Sequence, residues 1–182
     1  MSTKFKSYSF EVPKNVTIDM KGLNAVVKSG STELIREVSK FVVVKQENTT
    51  LTVSASNKSA RSRILAGTYA SHIKNMIAGV QKPYVYKLKI VGTHFPITVN
   101  QSGEELLIQN FLGEKKPRKA KLANNVSVKI QGDIITVESA DIEKAGMVAA
   151  RIEQATTVRG KDRRIFQDGI YLFEKAGQAI LK

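Results

Sequence analysis

The stretches Val12-Pro-Lys-Asn15-Val16-Thr17-Ile18-Asp-Met20-Lys-Gly22 and Leu122-Ala-Asn-Asn125-Val126-Ser127-Val128-Lys-Ile130-Gln-Gly132 carry one pattern. In each, apolar residues alternate (Val16, Ile18, Met20; Val126, Val128, Ile130), the period of a strand with one buried face. A glycine then marks a turn, and a second strand follows, Ala25 to Lys28 in one copy and Ile134 to Glu138 in the other. The offset is constant from Val12 on Leu122, through Asn15 on Asn125, to Gly22 on Gly132, so the chain reads as an internal repeat.

A helix follows in both copies. Leu65, Tyr69, Ile73, Met76 and Val80 recur at helical spacing, as do Ile142, Ala145, Ala149 and Ile152, and each set lays an apolar stripe on one helix face. Ser56 or Asn57 is expected to cap the first helix and Asp141 the second. The helices align at a shorter offset than the strands, so the middle strands are expected to have diverged. On this reading the first copy carries the extra chain, a further hairpin from Glu37–Val44 and Thr50–Val53. Tyr84 to Ile90 alternates and opens the second copy. The expected fold class is α+β: two tandem similar domains, 1–82 and 83–182, each a small mainly antiparallel sheet with one packed helix. A single larger sheet is the alternative.

Composition narrows the chemistry. The 182 residues hold 29 Lys and Arg against 16 Asp and Glu, a net charge of +13. With 42% hydrophobic residues the chain can build real cores and is not a disordered basic tail. No run of apolar residues is long enough for a membrane-spanning helix, and the N-terminal residues lack a secretory core. The absence of cysteine excludes disulfides, thiolate metal sites and cysteine nucleophiles, and fits a cytoplasmic location. His72 and His94 have no partners at metal-ligand spacing, and phosphate-loop, dinucleotide and nucleophile-elbow motifs are missing. Neither an enzyme nor a cofactor or metal site is expected. A cationic folded protein of this kind pairs with a polyanion.

The charge is unevenly placed. Residues 1–82 carry 13 basic and 5 acidic residues and the remainder 16 and 11, yet the densest runs lie in the second part. Gly113 to Lys121 contains Lys115, Lys116, Arg118, Lys119 and Lys121 around Pro117; Val158 to Arg164 contains Arg159, Lys161, Arg163 and Arg164 around Gly160. Pro and Gly interrupt both, so both read as loops. Lysines offer mobile point charges to phosphates, and arginines offer planar forks that grip a phosphate or stack on a base. Gly160 and Gly169 have no side chain to keep a sugar-phosphate backbone at a distance. Asp168-Gly169 reads as a tight turn, with Gln167 available to a base edge or ribose hydroxyl and Tyr171 to an unpaired base. Core packing is the main expectation for Phe166 and Phe173, and Arg61 and Arg63 are weaker candidates for anion contact.

Asn110 to Lys121, Asp141 to Gly146 with Ile152 to Thr156, and above all Arg159-Gly-Lys-Asp-Arg-Arg-Ile-Phe-Gln-Asp-Gly-Ile-Tyr171 resemble the archaeal and eukaryotic form of the sixth protein of the large ribosomal subunit. Gly67-Thr68, Asn75-Met76 and Gly79-Val80 are similar to that family's helix motif. The resemblance runs nearly end to end, except for the tail from Lys175 to Lys182. It implies two similar α+β domains, no catalysis, and a structural role binding large-subunit rRNA near the sarcin-ricin loop and stalk base, mostly through the second domain. Neighbouring ribosomal proteins at the stalk base and translation factors are the implied protein partners. A non-ribosomal basic RNA- or DNA-binding protein, or an RNA chaperone, is the alternative function.

Overall fold

Glycines at positive φ set the hairpins in the computed structural model, which describes residues 7–30, 32–47 and 49–180. The chain divides into two units, Met1–Pro83 and Tyr84–Lys182. The first comprises β1 (Ser7–Glu11), β2 (Thr17–Lys21), β3 (Asn24–Ser29), β4 (Thr32–Glu37), β5 (Val42–Glu47), β6 (Thr50–Ala55) and α1 (Ala60–Gln81). The second comprises β7 (Tyr84–Val91), β8 (Thr98–Ser102), β9 (Glu105–Gln109), β10 (Arg118–Lys121), β11 (Ser127–Gln131), β12 (Ile134–Ser139), α2 (Ile142–Ala155), β13 (Gly169–Lys175) and β14 (Gln178–Ala179).

The expected α+β class and the helix of each unit stand, but each expected sheet is two. The first unit has sheets ordered β2-β3-β4 and β1-β6-β5; the second has β10-β9-β8 and β11-β12-β7-β13-β14, with every pairing antiparallel. In the first unit Ile18, Ala25 and Val27 of one sheet and Leu51, Val53 and Ala55 of the other meet Ala66, Ala70, Ile73 and Ile77 of α1. In the second, Leu88, Leu106, Ile108, Ile135, Val137 and Ile170 meet Ala145, Val148, Ala149 and Ile152 of α2. Each large aliphatic side chain so buried contributes about 1.5–3 kcal/mol, so each unit has a core of its own.

This topology corrects the repeat. Sheet order pairs β2-β3-β4 with β8-β9-β10 and β1-β6-β5 with β7-β12-β11, so β2 corresponds to β8, Thr17 to Thr98. Aligning Val12 with Leu122 instead matches the first unit's β2-β3 hairpin to the second unit's β11-β12 hairpin. Both have alternating apolar residues and a positive-φ glycine, Gly22 at 64° and Gly132 at 56°, but so does β8-β9 with Gly103 at 58°. A turn that demands glycine imposes the same local signature wherever it occurs, so the signature cannot distinguish hairpins within a unit. With the hairpins matched by sheet order, the mismatch with the helices disappears.

It also reverses which copy carries extra chain. The β3-β4 connection spans residues 30–31 and the equivalent β9-β10 connection spans 110–117. Only Lys82 and Pro83 follow α1 before the next strand, whereas residues 156–168 follow α2 and lead into β13, which has no counterpart among the described residues of the first unit. Glu37, expected within a hairpin with Phe41 to Val44, instead ends β4, a strand the alternation did not announce. The cap of α2 is Asp141 as expected, its carboxylate accepting from the Glu143 N–H at 2.9 Å. For α1 the cap position is Ser59, whose side chain makes no capping bond. Asn57 acts from two residues upstream, its Oδ1 accepting from the Ser59 N–H and the Ser62 hydroxyl.

Candidate nucleic-acid interface

Both additional segments of the second unit are basic, and side chains knit them together. The first, 110–117, turns sharply: Asn110, Leu112 and Gly113 all have positive φ, at 57°, 51° and 77°. For a leucine that is a strained backbone, tolerated only where the surroundings impose it. Phe111 is buried in the core beneath the turn, and the Asn110 amide donates to the Pro96 carbonyl at 3.0 Å. A side chain at Gly113 would meet the Phe95 ring at 3.5 Å. Lys115, Lys116 and Pro117 thus project, exposed, from a loop whose base is fixed.

Arg118 is not a loop residue. With Lys119, Ala120 and Lys121 it forms β10, paired with β9, so four of the residues expected in the loop are strand. Nor is its guanidinium free for phosphate: it stacks 4.3 Å from the Phe111 ring centroid and forks onto both carboxylate oxygens of Glu114 at 2.8 and 2.6 Å. Its Nη1 donates to the carbonyls of Ala155 and Thr157 at 2.9 and 3.0 Å, at the end of α2 and just beyond it. One arginine therefore ties the first basic segment to the start of the second. The Arg118 hydrogen bond holds the Glu114 carboxyl below its ordinary range despite some desolvation, and the charges of Arg118 and Lys161 add to that. On β10 the alternation points Lys119 and Lys121 outward while Ala120 is buried, and Lys119 pairs with Glu105 at 2.9 Å.

The second segment is a structured loop. Asp162 accepts from the guanidinium and the N–H of Arg164, which draws the carboxyl below its ordinary value, and its carbonyl accepts from the Ile165 and Phe166 N–H groups. Arg164 nonetheless leaves 90% of its side chain exposed, so the pair is a surface contact worth little and easily exchanged for a phosphate. Gly160 is exposed at φ 69°, with open space where a Cβ would stand, so a phosphodiester can reach this backbone. Lys161 lies over the Phe166 ring, 4.5 Å from its centroid, and Phe166 is half-buried against His94. Gln167 is exposed; its amide donates to the Arg164 carbonyl while its backbone carbonyl accepts from the Tyr171 hydroxyl.

Asp168 and Gly169 depart from the expected roles. They form no tight turn; Gly169 begins β13, and both are buried. The Asp168 carboxylate, 1% exposed, accepts from the N–H groups of Thr93 and His94 at 2.5 and 2.8 Å and from His94 Nδ1 at 2.6 Å. Burial alone would raise its pKa, but these hydrogen bonds and the charge of His94 hold it below the ordinary value. The Tyr171 ring covers Gly169, closing off the approach expected there. Asp168 and Gly169 are the far anchor of the loop. The bond between His94 and Asp168 joins residues 74 positions apart, and nothing local in the sequence announces it.

Lys115, Lys116, Lys121, Arg159 and Arg163 form no ion pair among the described residues, and no cluster of metal-binding side chains occurs among them. The surface is one of fixed loops bearing unpaired cations. The model of a family described as Ribosomal protein L6 matches the chain twice, over residues 12–83 and 95–169. The chain belongs to this family. Its two matches fall one in each unit, and the second takes in both additional basic segments. Large ribosomal subunit protein uL6 of Methanococcus vannielii is 45% identical over 171 residues, covering 93% of this chain and 94% of its own length. The proteins of that name from Desulfurococcus amylolyticus and Sulfurisphaera tokodaii are 43% and 40% identical, over 93% and 91% of this chain and 94% and 90% of theirs. Members of the L6 family are structural ribosomal proteins and not enzymes.

Proposed function

We propose that the chain is a structural constituent of the large ribosomal subunit and binds its rRNA chiefly through residues 83–182. The observation that carries this reading is where the duplicated scaffold has been extended. The chain added to the second unit is cationic at both places, and Arg118 and the His94–Asp168 pair fix it before any partner arrives. A loop fixed in advance loses less entropy on binding, so its cations convert more of their attraction into affinity. Lys115, Lys116, Lys119, Lys121, Arg159, Lys161, Arg163 and Arg164 then position the protein on phosphates, while Gly160 admits the backbone closely and Gln167 and Tyr171 reach bases or riboses at the rim. The sarcin-ricin loop and stalk base are the site this reading assigns, with stalk-base ribosomal proteins as neighbours and translation factors as passing contacts.

The test is footprinting on large-subunit rRNA together with the salt dependence of binding. One compact protected region that includes the sarcin-ricin loop is expected; diffuse protection overturns the reading in favour of a non-specific RNA- or DNA-binding protein or RNA chaperone. In the same assay Arg159→Ala/Arg163→Ala should weaken binding and reduce the log–log salt slope by about 2, one for each lost phosphate contact. An unchanged slope removes these residues from the interface.

A further inference from the structure

The two helices of the repeated scaffold occupy equivalent places but differ in charge. In α2, Lys144 and Arg151 are balanced by Glu143 and Glu153. In α1, Arg61, Arg63 and Lys74 are accompanied by no acid over 22 residues, and Lys58 and Lys82 flank the ends. None of these five cations forms an ion pair among the described residues, and all are exposed. Arg63 and Lys74 stand eleven positions apart, close to three turns, and so share one flank of the helix, while Arg61 lies toward the other. Arg61 is held over the Phe41 ring at 5.5 Å, and Lys40 approaches the same ring at 5.7 Å. Beside Arg63, Tyr8, Ala60 and Ile64 line an open hollow, and Ile64 is 69% exposed there. Arg63 and Lys74, in line along one flank beside an apolar and aromatic hollow, offer what a single-stranded polynucleotide requires: point charges for the backbone and a surface for an unpaired base.

We infer that the outer face of α1 is a second RNA-docking surface, taking a single-stranded segment of large-subunit rRNA with phosphates on Arg63 and Lys74 and a base in the Tyr8–Ile64 hollow. This rests on the reading of the chain as an rRNA-binding protein but uses neither of the basic segments of the second unit. Net charge favours RNA over a protein neighbour, since a helix with three unpaired cations, two more flanking its ends and no acid of its own repels itself unless counter-charge is supplied.

The experiment uses the full chain and a transcript of large-subunit rRNA. Arg63→Ala/Lys74→Ala should lower the magnitude of the log–log salt slope by about 1.4, from two single-strand phosphate contacts. It should also abolish protection of a discrete segment that Arg159→Ala/Arg163→Ala leaves protected. The charge-preserving Arg63→Lys/Lys74→Arg should keep both slope and protection, and thermal unfolding should be unchanged in both variants because the sites are exposed and alanine favours helix. If the alanine variant keeps the parental slope and footprint while the loop variant loses them, the α1 surface is overturned and the main reading survives. If neither variant changes binding, both fail. Full binding to the transcript with loss of incorporation into subunits assigns the face to a protein neighbour and overturns the proposal as well.

Discussion

Asp168 is a residue whose chemistry and apparent sequence role point in different directions. An aspartate followed by glycine beside a basic run reads as an exposed tight turn, yet its carboxylate is buried and receives three hydrogen bonds from the Thr93–His94 turn. Asp168→Asn removes the charge and leaves at least one donor without its partner, at a cost of about 2–4 kcal/mol at pH 7. The pH dependence follows from the direction of the shift. The folded-state pKa lies below the ordinary 3.8, so the stabilisation is present above that value and is lost as pH falls through the folded-state value. Urea unfolding should therefore show a wide gap between the two proteins at pH 7 that narrows at pH 3. A gap of equal size at both would mean that the carboxylate charge is not what stabilises the turn. Arg118 is its counterpart at the other end of the loop. Lysine there cannot fork onto Glu114 and reach two carbonyls at once, so Arg118→Lys should weaken rRNA binding although the net charge is unchanged. Full affinity in that variant, measured by filter binding, contradicts the role of Arg118 as a latch.

At the scale of elements the two helix starts separate what the sequence announces from what only the fold supplies. Asp141 sits at the cap position of α2 and does there what a capping aspartate does. In α1 the Ser59 side chain caps nothing, and Asn57 binds the Ser59 N–H and the Ser62 hydroxyl. Asn57→Ala should then lower the thermal midpoint, with a cost of about 1 kcal/mol, and Ser59→Ala should change stability by only a few tenths. The reverse order would return the cap to Ser59. The same contrast decides how much of the fold was legible. Apolar stripes such as Ile73–Met76–Val80 and Ala145–Ala149–Ile152 are periodic over several turns, and both helices follow from them. The hairpins were legible one at a time, but which hairpin matches which depends on sheet order, a long-range property that three near-identical glycine turns conceal. Lys119 and Lys121 alternate with a small Ala120 and are rich in charge, so an edge strand reads as a loop. Of the site, the cations were legible as composition; the contacts that fix them, His94 to Asp168 and Arg118 to the carbonyls at the end of α2, join distant positions and leave no local trace.

For the whole molecule, net charge and binding capacity need not coincide. Residues 1–82 carry the larger excess, +8 against +5, but the described ones among their cations are spread over strands, connections and α1, whereas the second unit gathers nine of its own on two anchored segments, 115–121 and 159–164. Clustered, fixed cations meet several phosphates of one RNA fold at once, while dispersed ones meet few. Only Lys82 and Pro83 separate α1 from β7, so RNA bound by one unit is presented to the other at an effective concentration of about millimolar. A weak surface on the first unit thereby adds affinity that it could not supply alone. Cutting the chain between Pro83 and Tyr84 tests the division, since each side has its own core. The fragment 84–182 should keep the compact rRNA footprint and most of the salt slope, but bind more weakly than the intact chain. The fragment 1–83 should bind weakly by itself, and added in trans at micromolar concentration it should not restore the intact affinity. Binding by 1–83 as tight as that of the whole chain, with thermal unfolding showing both fragments folded, would place the principal surface in the first unit and make the basic loops of the second unit secondary.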